Sequence, residues 1–532
     1  MSRVRPAGHQ LWDSRLRHCL SVLMLALVFS ISYTQLPLYA ENQNEYFLRG
    51  LARTGFGLLQ HDWLAHTADV TPAFSLMVEW TYHYLHRRGF YLEFILVLGV
   101  YIYSLLGIAS SLYGINRSRT QYLTYLALVV LLFSPLLDYL PPRIFGFTLA
   151  AVVYDGVGYE GILRHYLQPS SFGALLLLSI YLFLGGKPLL AVVSSSLAAV
   201  FHPVYLLPAG VLTISYLLTL ARRGESLRNV LGVGACALGV ALPIIVYTYV
   251  VFRPTSPDTW KAASAIFVHF AVAAHAVPRF WLGPVVLIKA AIVLIALYAI
   301  RRTELFLPML LLLVTAVGLT TIQMLSGSDA LAVFLPWRLS VVLVPLASSV
   351  ILALVVSRLV SGLEKWRPGR EHVLVELSML TLGVLIGAGV VMTIQSFRSP
   401  IEDGSGEVMR FVSAHKSSED TYLVPFDARD WFLFEKFRLD TGAPTFVDHR
   451  LVPKKDTDVI EWYKRVRLAE AFYEAGGEAR CQLSRTLFAD YKITHVILKI
   501  DDAGGCSDWK LLFKDQRYAL VAVPPSATSR KR

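Results

Sequence analysis

The sequence predicts a polytopic α-helical membrane protein of about eleven transmembrane helices, followed by a C-terminal α/β domain on the outer side. Three observations predict it. Of 532 residues, 55% are hydrophobic and only 16% charged, with a mean hydropathy of +0.53, whereas about a quarter of an average soluble chain is charged. Apolar runs near the roughly 20 residues that a bilayer requires recur as far as residue 394 and then stop. Basic residues fall on alternate connectors between those runs. So apolar a chain excludes a disordered protein, a coiled coil, a disulfide-stapled mini-domain and a single soluble domain.

In chain order the expected spans are 18–40, 90–113, 122–140, 172–185, 188–201, 204–221, 230–251, 281–300, 305–325, 339–356 and 373–394. The fourth and fifth are short and separated only by Gly185, Gly186 and Lys187, so they read as a tight helical hairpin. The first has Arg15 and Arg17 before its apolar core. It runs too long for a cleaved signal peptide, and it is expected to stay.

Short cytoplasmic loops hold an excess of Lys and Arg. One set of connectors carries Arg3, Arg5, Arg15 and Arg17, then Arg117 and Arg119, Lys187, Arg222, Arg223 and Arg228, Arg301 and Arg302, and Arg358, Lys365, Arg367 and Arg370. Those sixteen charges on short segments face ten on the longer opposite loops. The N-terminus is therefore expected in the cytoplasm and the C-terminal domain outside it. The net charge of +11 is thereby read as loop charge that sets orientation, and nucleic acid is not expected as a partner.

Three outer loops are long. In 41–89, Tyr46, Phe47, Leu51, Phe56, Leu58 and Leu59 recur at helical spacing and predict an amphipathic helix on the membrane surface, with a second half-apolar helix over 71–85. The loop 141–171 holds Arg143, Asp155, Glu160, Arg164, His165 and Gln168, and the loop 252–280 holds Arg253, Lys261, His269, His275 and Arg279. Residues 1–396 form the expected membrane module and 397–532 the outer domain. In that domain 421–425, 445–447 and 494–500 read as strands, 459–475 as a helix, and 511–513 with 518–523 as a closing hairpin. An oxidising compartment would let Cys481 pair with Cys506.

A carboxylate at the end of a span is costly to desolvate and needs water, a partner or a task. Glu41 stands there, where it can take a proton from an acceptor hydroxyl, and it reads equally as an ordinary interfacial residue. Asp62, beside His61, is its rival, and Asp69 reads as a helix cap before Thr71 and Pro72. A divalent cation at His61 and Asp62 is conceivable, but no spacing defines a metal site. Arginine suits a phosphate because its planar fork donates to two oxygens and stays charged. Arg338 in FLPWRLS is the leading candidate for a lipid-linked phosphate, or else an interfacial anchor beside Trp337, with Arg164, Arg143, His202 and Gln168 as further substrate-binding candidates. Asp155 and Glu160 read either as a second acidic site or, with Gly156, Gly158 and Gly161, as a plain flexible loop. No Walker loop, HExxH or nucleophile elbow is present.

The organisation and several strings resemble the GT-C superfamily of polytopic, polyprenyl-phosphate-sugar-dependent glycosyltransferases, in a bacterial branch. The strings are ENQNEYFLRGLAR with HDWLAHTADVTPAFS, YLQPSSFGALLLLSIYLFL with VFHPVYLLPAG, FLPWRLSVVLVPLAS, and FRLDTGAPTFVDHR with EWYKRV. The resemblance implies inverting transfer of a sugar from a polyprenyl-phosphate donor to a glycan, lipid or protein acceptor on the outer face. It places the base at Glu41, while Asp62 stays open because the paired acids of many members are absent: Asn42 follows Glu41. Two other classes remain, a non-enzymatic scaffold or transporter whose outer domain binds a partner, and an O-antigen polymerase or ligase. Charges deep in several spans would favour transport, and only Lys289 lies near the middle of one.

Overall fold

The computed structural model describes residues 7–138, 147–366, 369–398, 406–425, 431–502 and 506–523. The candidate Arg143 lies outside them. By contacts the chain divides into two compact units, one of Met1–Leu36, Phe90–Ile245 and Ala274–Phe397, the other of Pro37–Gly89, Val246–Ala273 and Arg398–Arg532. The second unit thus gathers 37–89 and 246–273 with the tail, although the sequence grouped 41–89 with the spans.

Among its described residues the first unit contains helices, turns and no strand. Among the described residues six helices are long and apolar enough to cross a membrane, and five shorter apolar ones accompany them, Cys19–Tyr33, Arg119–Leu132, Pro169–Leu184, Pro188–Phe201 and Pro284–Ile300. This is a multi-pass membrane protein. Helices are the economical form for such runs, because each satisfies its backbone polar groups internally where no water is available. Pro188 and Pro284 open their helices at the first turn, where the missing N–H is not needed. The hairpin over 172–201 forms as expected, turning on Gly186 at φ +71°. The first helix ends at Tyr33 rather than at residue 40, with Thr34 in the left-handed region at φ +67°. Arg119–Leu132 stops before residue 140, where Pro135 starts a tighter turn.

Ser340–Trp366 is the core helix: in the stretch Asp329–Trp366 that contains it, 72% of the most apolar window is buried, against 17% for Leu227–Val251 and for Glu371–Arg398. Small residues let helices approach closely, as Gly99 does on Ala26 and Gly389 on the Ile31 backbone. Pro72–Tyr113 holds two helices that meet at a kink at His86, whose φ of +52° is strained for a non-glycine residue.

In the second unit a four-stranded sheet has the order β1-β2-β4-β3, with β1 Tyr422–Leu423, β2 His495–Lys499, β3 Lys510–Lys514 and β4 Tyr518–Ala522. β1 runs parallel to β2, and the other pairings are antiparallel. Residues 445–447 contribute only a bridge between Tyr422 and Thr445. Alternate side chains of β2 enter different cores. Val496 and Leu498 pack with Trp462, Val466 and Phe472 of the helix Asp456–Glu474. Ile497 packs with Val408, Val412 and Phe437 on the other face. With helices on both faces, β2 reads as a nearly continuous apolar run. A disulfide joins Cys481 and Cys506, Cα atoms 5.6 Å apart.

The apolar stripe of 43–59 is buried in protein. Phe47, Leu48, Leu51 and Leu59 have no exposed surface; Phe47 lies 5.8 Å from the Phe74 ring and Gly50 fits against Ser75 and Val78. This replaces the expected membrane-surface helix with two short buried ones, Gln43–Tyr46 and Leu48–Arg53.

Candidate functional site

In the first unit, a loop over 154–166 packs on the start of two helices. Leu335, at φ +47°, turns the chain into Pro336–Leu339, and the core helix follows at Ser340. Ser340 Oγ accepts from Val157 N at 2.7 Å. Gly156 N donates to the Glu160 carbonyl at 2.7 Å and closes the turn. Gly158, at φ +71°, sits where an added Cβ would stand 2.8 Å from Trp337 Nε1, so both its conformation and its space require glycine. Its carbonyl accepts from His275 Nδ1 at 2.8 Å. The glycines of this loop therefore serve close packing.

The turn carries two carboxylates, each held by an arginine. Arg338 Nη2 donates to Glu160 Oε1 at 2.7 Å, and His275 Nδ1 faces the same oxygen at 3.6 Å. Arg164 Nη1 reaches both oxygens of Asp155, at 3.0 and 3.2 Å, while Nη2 donates to the Tyr159 carbonyl at 2.6 Å. Burial pushes the Asp155 carboxyl up by more than Arg164 pulls it down. For Glu160 burial acts in the same direction, but Arg338 and then His275 outweigh it and hold the carboxyl below its ordinary value. A third cation, Lys289, is buried and donates from Nζ to the Gly156 carbonyl. Its helix starts at Pro284, so at ~1.5 Å per residue Lys289 is about 7.5 Å from the helix end.

Lys289 also lines a cavity of about 260 Å³ between the helices Pro284–Ile300, Phe306–Ser326 and Ser340–Trp366. Its other walls are almost all apolar, among them Val286, Val293, Leu313, Leu343, Trp281 and Trp337. An ammonium in an apolar chamber, with two arginines on the adjoining turn, can hold an amphiphile whose head is anionic.

The structure brings Arg338 and Arg164 to one turn, and Glu160 feels both. Gln168 donates from Nε2 to Ser170 Oγ at 2.7 Å, and the Ser170 carbonyl accepts from Tyr205 OH at 2.6 Å. His202 packs edge-on against Tyr205 with ring centres 5.2 Å apart. These two residues shape the corner beside the turn. Sequence reading missed His275 as a partner and took Lys289 for a lone mid-span charge; a cation five residues past a helix-starting proline, below a glycine-rich loop, was the available signal.

The second unit holds Glu41 and Asp62. Asp62 has no exposed surface: Oδ1 accepts from Leu64 N at 2.9 Å, and Oδ2 from Arg438 Nε at 2.7 Å and Thr445 N at 2.9 Å. Arg438 Nη1 lies 3.5 Å from Asp448 as well. So saturated a carboxylate is a structural tie, which corrects the reading of Asp62 as a base or metal ligand. Asp69 caps as expected, accepting from Thr71 N at 3.0 Å. Glu41 is exposed, at φ +41°, and its turn is fixed by Asn44 Nδ2, which donates to the carbonyls of Tyr39 at 2.8 Å and Glu41 at 2.9 Å. Nearby, burial pushes the Glu435 carboxyl up to about 7, against the pull of Arg450 and with help from Asp448 and Glu41. Arg450 Nη1 contacts Glu435 at 3.1 Å. Among the described residues no group of three His, Cys, Asp or Glu side chains is placed to hold a metal ion.

The chain is thus a multi-pass membrane protein with an apolar cavity lined by one buried lysine and a sheet-containing second unit. Residues 403–469 match a domain of unknown function (DUF6798), a stretch that includes Glu435, Arg438, Asp448 and Arg450. No curated protein matches the chain. Among solved structures it is similar to ArnT from Cupriavidus metallidurans, seen in a crystal bound to undecaprenyl phosphate, at 11% identity over 97% of this chain and 99% of that one, with a TM-score of 0.47.

Proposed function

We propose that this protein is a glycosyltransferase of a bacterial inner membrane that uses a polyprenyl-phosphate-linked sugar on the extracytoplasmic side, in the manner of the GT-C enzymes that its sequence resembles. The observation that carries the reading is Lys289, a buried basic residue that lines a largely apolar cavity and bonds the turn whose carboxylates Arg338 and Arg164 hold. The cavity suits part of an isoprenoid chain and the cations suit its phosphate. Breaking the bond from the anomeric carbon to the phosphate oxygen leaves the electron pair on that oxygen. Arg338, Arg164 and Lys289 would stabilise the charge that develops there. Glu41, with Glu435 nearby, would take the proton of the acceptor hydroxyl, and attack opposite the leaving phosphate would invert the anomeric carbon. The Cys481–Cys506 disulfide supports an oxidising, extracytoplasmic position for the second unit.

The test is turnover by the full chain in nanodiscs, given polyprenyl-phosphate-linked pentose, hexose and N-acetylhexosamine with a membrane extract as acceptor source. Release of polyprenyl phosphate, read by mass spectrometry, is expected from the parent and is expected to be lost in Arg338→Ala and Glu41→Gln. Farnesyl phosphate should bind the parent and bind Lys289→Met at least tenfold more weakly. Failure of farnesyl phosphate to bind the parent would sink the reading.

A further inference from the structure

Three basic side chains, Arg338, Arg164 and Lys289, surround a turn bearing two carboxylates, Glu160 and Asp155. The surplus is one positive charge, before any contribution from His275. Asp155 is held by Arg164 at both oxygens, whereas Arg338 Nη2 meets Glu160 at Oε1. The Glu160 side chain is 19% exposed and that of its partner Arg338 25%, so the pair can be reached by a ligand. The turn that carries Glu160 is pinned at Gly156, Val157 and Gly158 by Lys289, Ser340 and His275. The backbone anchors stand even if the carboxylate swings away.

We propose that Glu160 is a placeholder anion that sets the charge selectivity of this site, keeping Arg338 occupied against a ligand with one negative charge and yielding it to one with two. The inference rests on the proposed lipid-phosphate reading. A phosphodiester donor carries one negative charge, which the surplus already balances, so Arg338 keeps Glu160. When the glycosidic bond breaks, the phosphate becomes a monoester and gains a second charge. It then competes with Glu160 for the Arg338 fork, and charge-assisted bonds of this kind are strong enough for the exchange to matter. Glu160 also limits how tightly the spent carrier is held, because the carrier must displace a carboxylate to stay. Glu160 is on this account a specificity-determining and positioning residue.

The experiment compares two soluble probes on the full chain in nanodiscs, farnesyl phosphate as the monoester and farnesyl methyl phosphate as the diester. In Glu160→Gln the monoester is expected to gain affinity by about tenfold more than the diester, the low end of the contribution of one charge-assisted hydrogen bond. Glu160→Asp should keep the parent ratio. An unchanged ratio in the Gln variant, or equal weakening of both probes, would overturn the inference while leaving the lipid-phosphate reading intact. Absence of monoester binding to the parent would instead remove the reading beneath it. If the Gln variant does not fold, hydrogen exchange on the parent decides: amides of 155–163 should exchange faster with the monoester and not with the diester, and identical responses would refute it.

Discussion

Replacing Asp62 by Asn tests whether this carboxylate is a base or a tie. The side chain is fully buried, its partner Arg438 is 2% exposed, and three donors converge on its two oxygens at 2.7 to 2.9 Å. Asn can still accept through one oxygen, but its amide meets donors on the other side and the negative charge is gone. Arg438 would then depend on Asp448, 3.5 Å away. Removing one member of a buried ion pair costs about 3–5 kcal/mol, because the remaining charge is left without compensation. For a unit of this size that is a fall of about 6–20 °C in melting temperature. The assay is thermal unfolding of purified protein in detergent, with hydrogen exchange of 437–447 to localise the loss. Arg438→Met combined with Asp62→Asn should cost less than the sum of the two single changes, as expected for residues in direct contact. An Asn variant that melts with the parent and loses only turnover would refute the tie and restore Asp62 as a base.

Glu435 has a carboxyl pushed from 4.5 up to about 7 in the folded protein, so its contribution to stability is fully present below about pH 4.5 and is lost as pH rises through 7. That loss is about 3 kcal/mol, and Glu435→Gln should flatten the fall when melting is followed from pH 5 to 8. Gly158→Ala should destabilise the turn by about 1 kcal/mol or more, since φ is +71° and Trp337 fills the space for a Cβ; an unchanged melting curve would remove the packing role given to that glycine. Serine at both Cys481 and Cys506 frees a loop with a sequence separation of 25, a loss of about 3.5 kcal/mol on the chain-entropy account, to be read as the difference in denaturation midpoint between parent and variant. Reduction of the parent should produce the same shift.

How much of this was legible depended on the range of the signal. Apolar runs report their own burial, so helices cover the expected runs; two of their ends moved where a proline or a left-handed residue intervened, at Pro135 and Thr34, and others extend past the apolar run, as Ser340–Trp366 does. The strands β2 and β4 were visible as local apolar runs, whereas 445–447 is held by one bridge and had no pattern of its own. Helical spacing in 43–59 showed that one face is apolar without showing what covers it, and protein covers it. At the candidate site Arg338 and Arg164 could be named from charge and position. Their carboxylates could be named only as loop acids, because the 2.7 Å contact of Arg338 with Glu160 spans 178 residues. Periodicity carries no information about pairs that distant.

The tie between Asp62 and Arg438 spans 376 positions of the chain, which has a consequence for biosynthesis. At about 5–20 residues per second, Arg438 is made roughly 20–75 s after Asp62. Throughout that interval Asp62 lacks the guanidinium that permits its burial, so it must stay hydrated and the loop around it unfinished. Every intervening helix has to be inserted first. A segment made late therefore completes a loop made early, and truncation anywhere between them should leave that loop open to proteases.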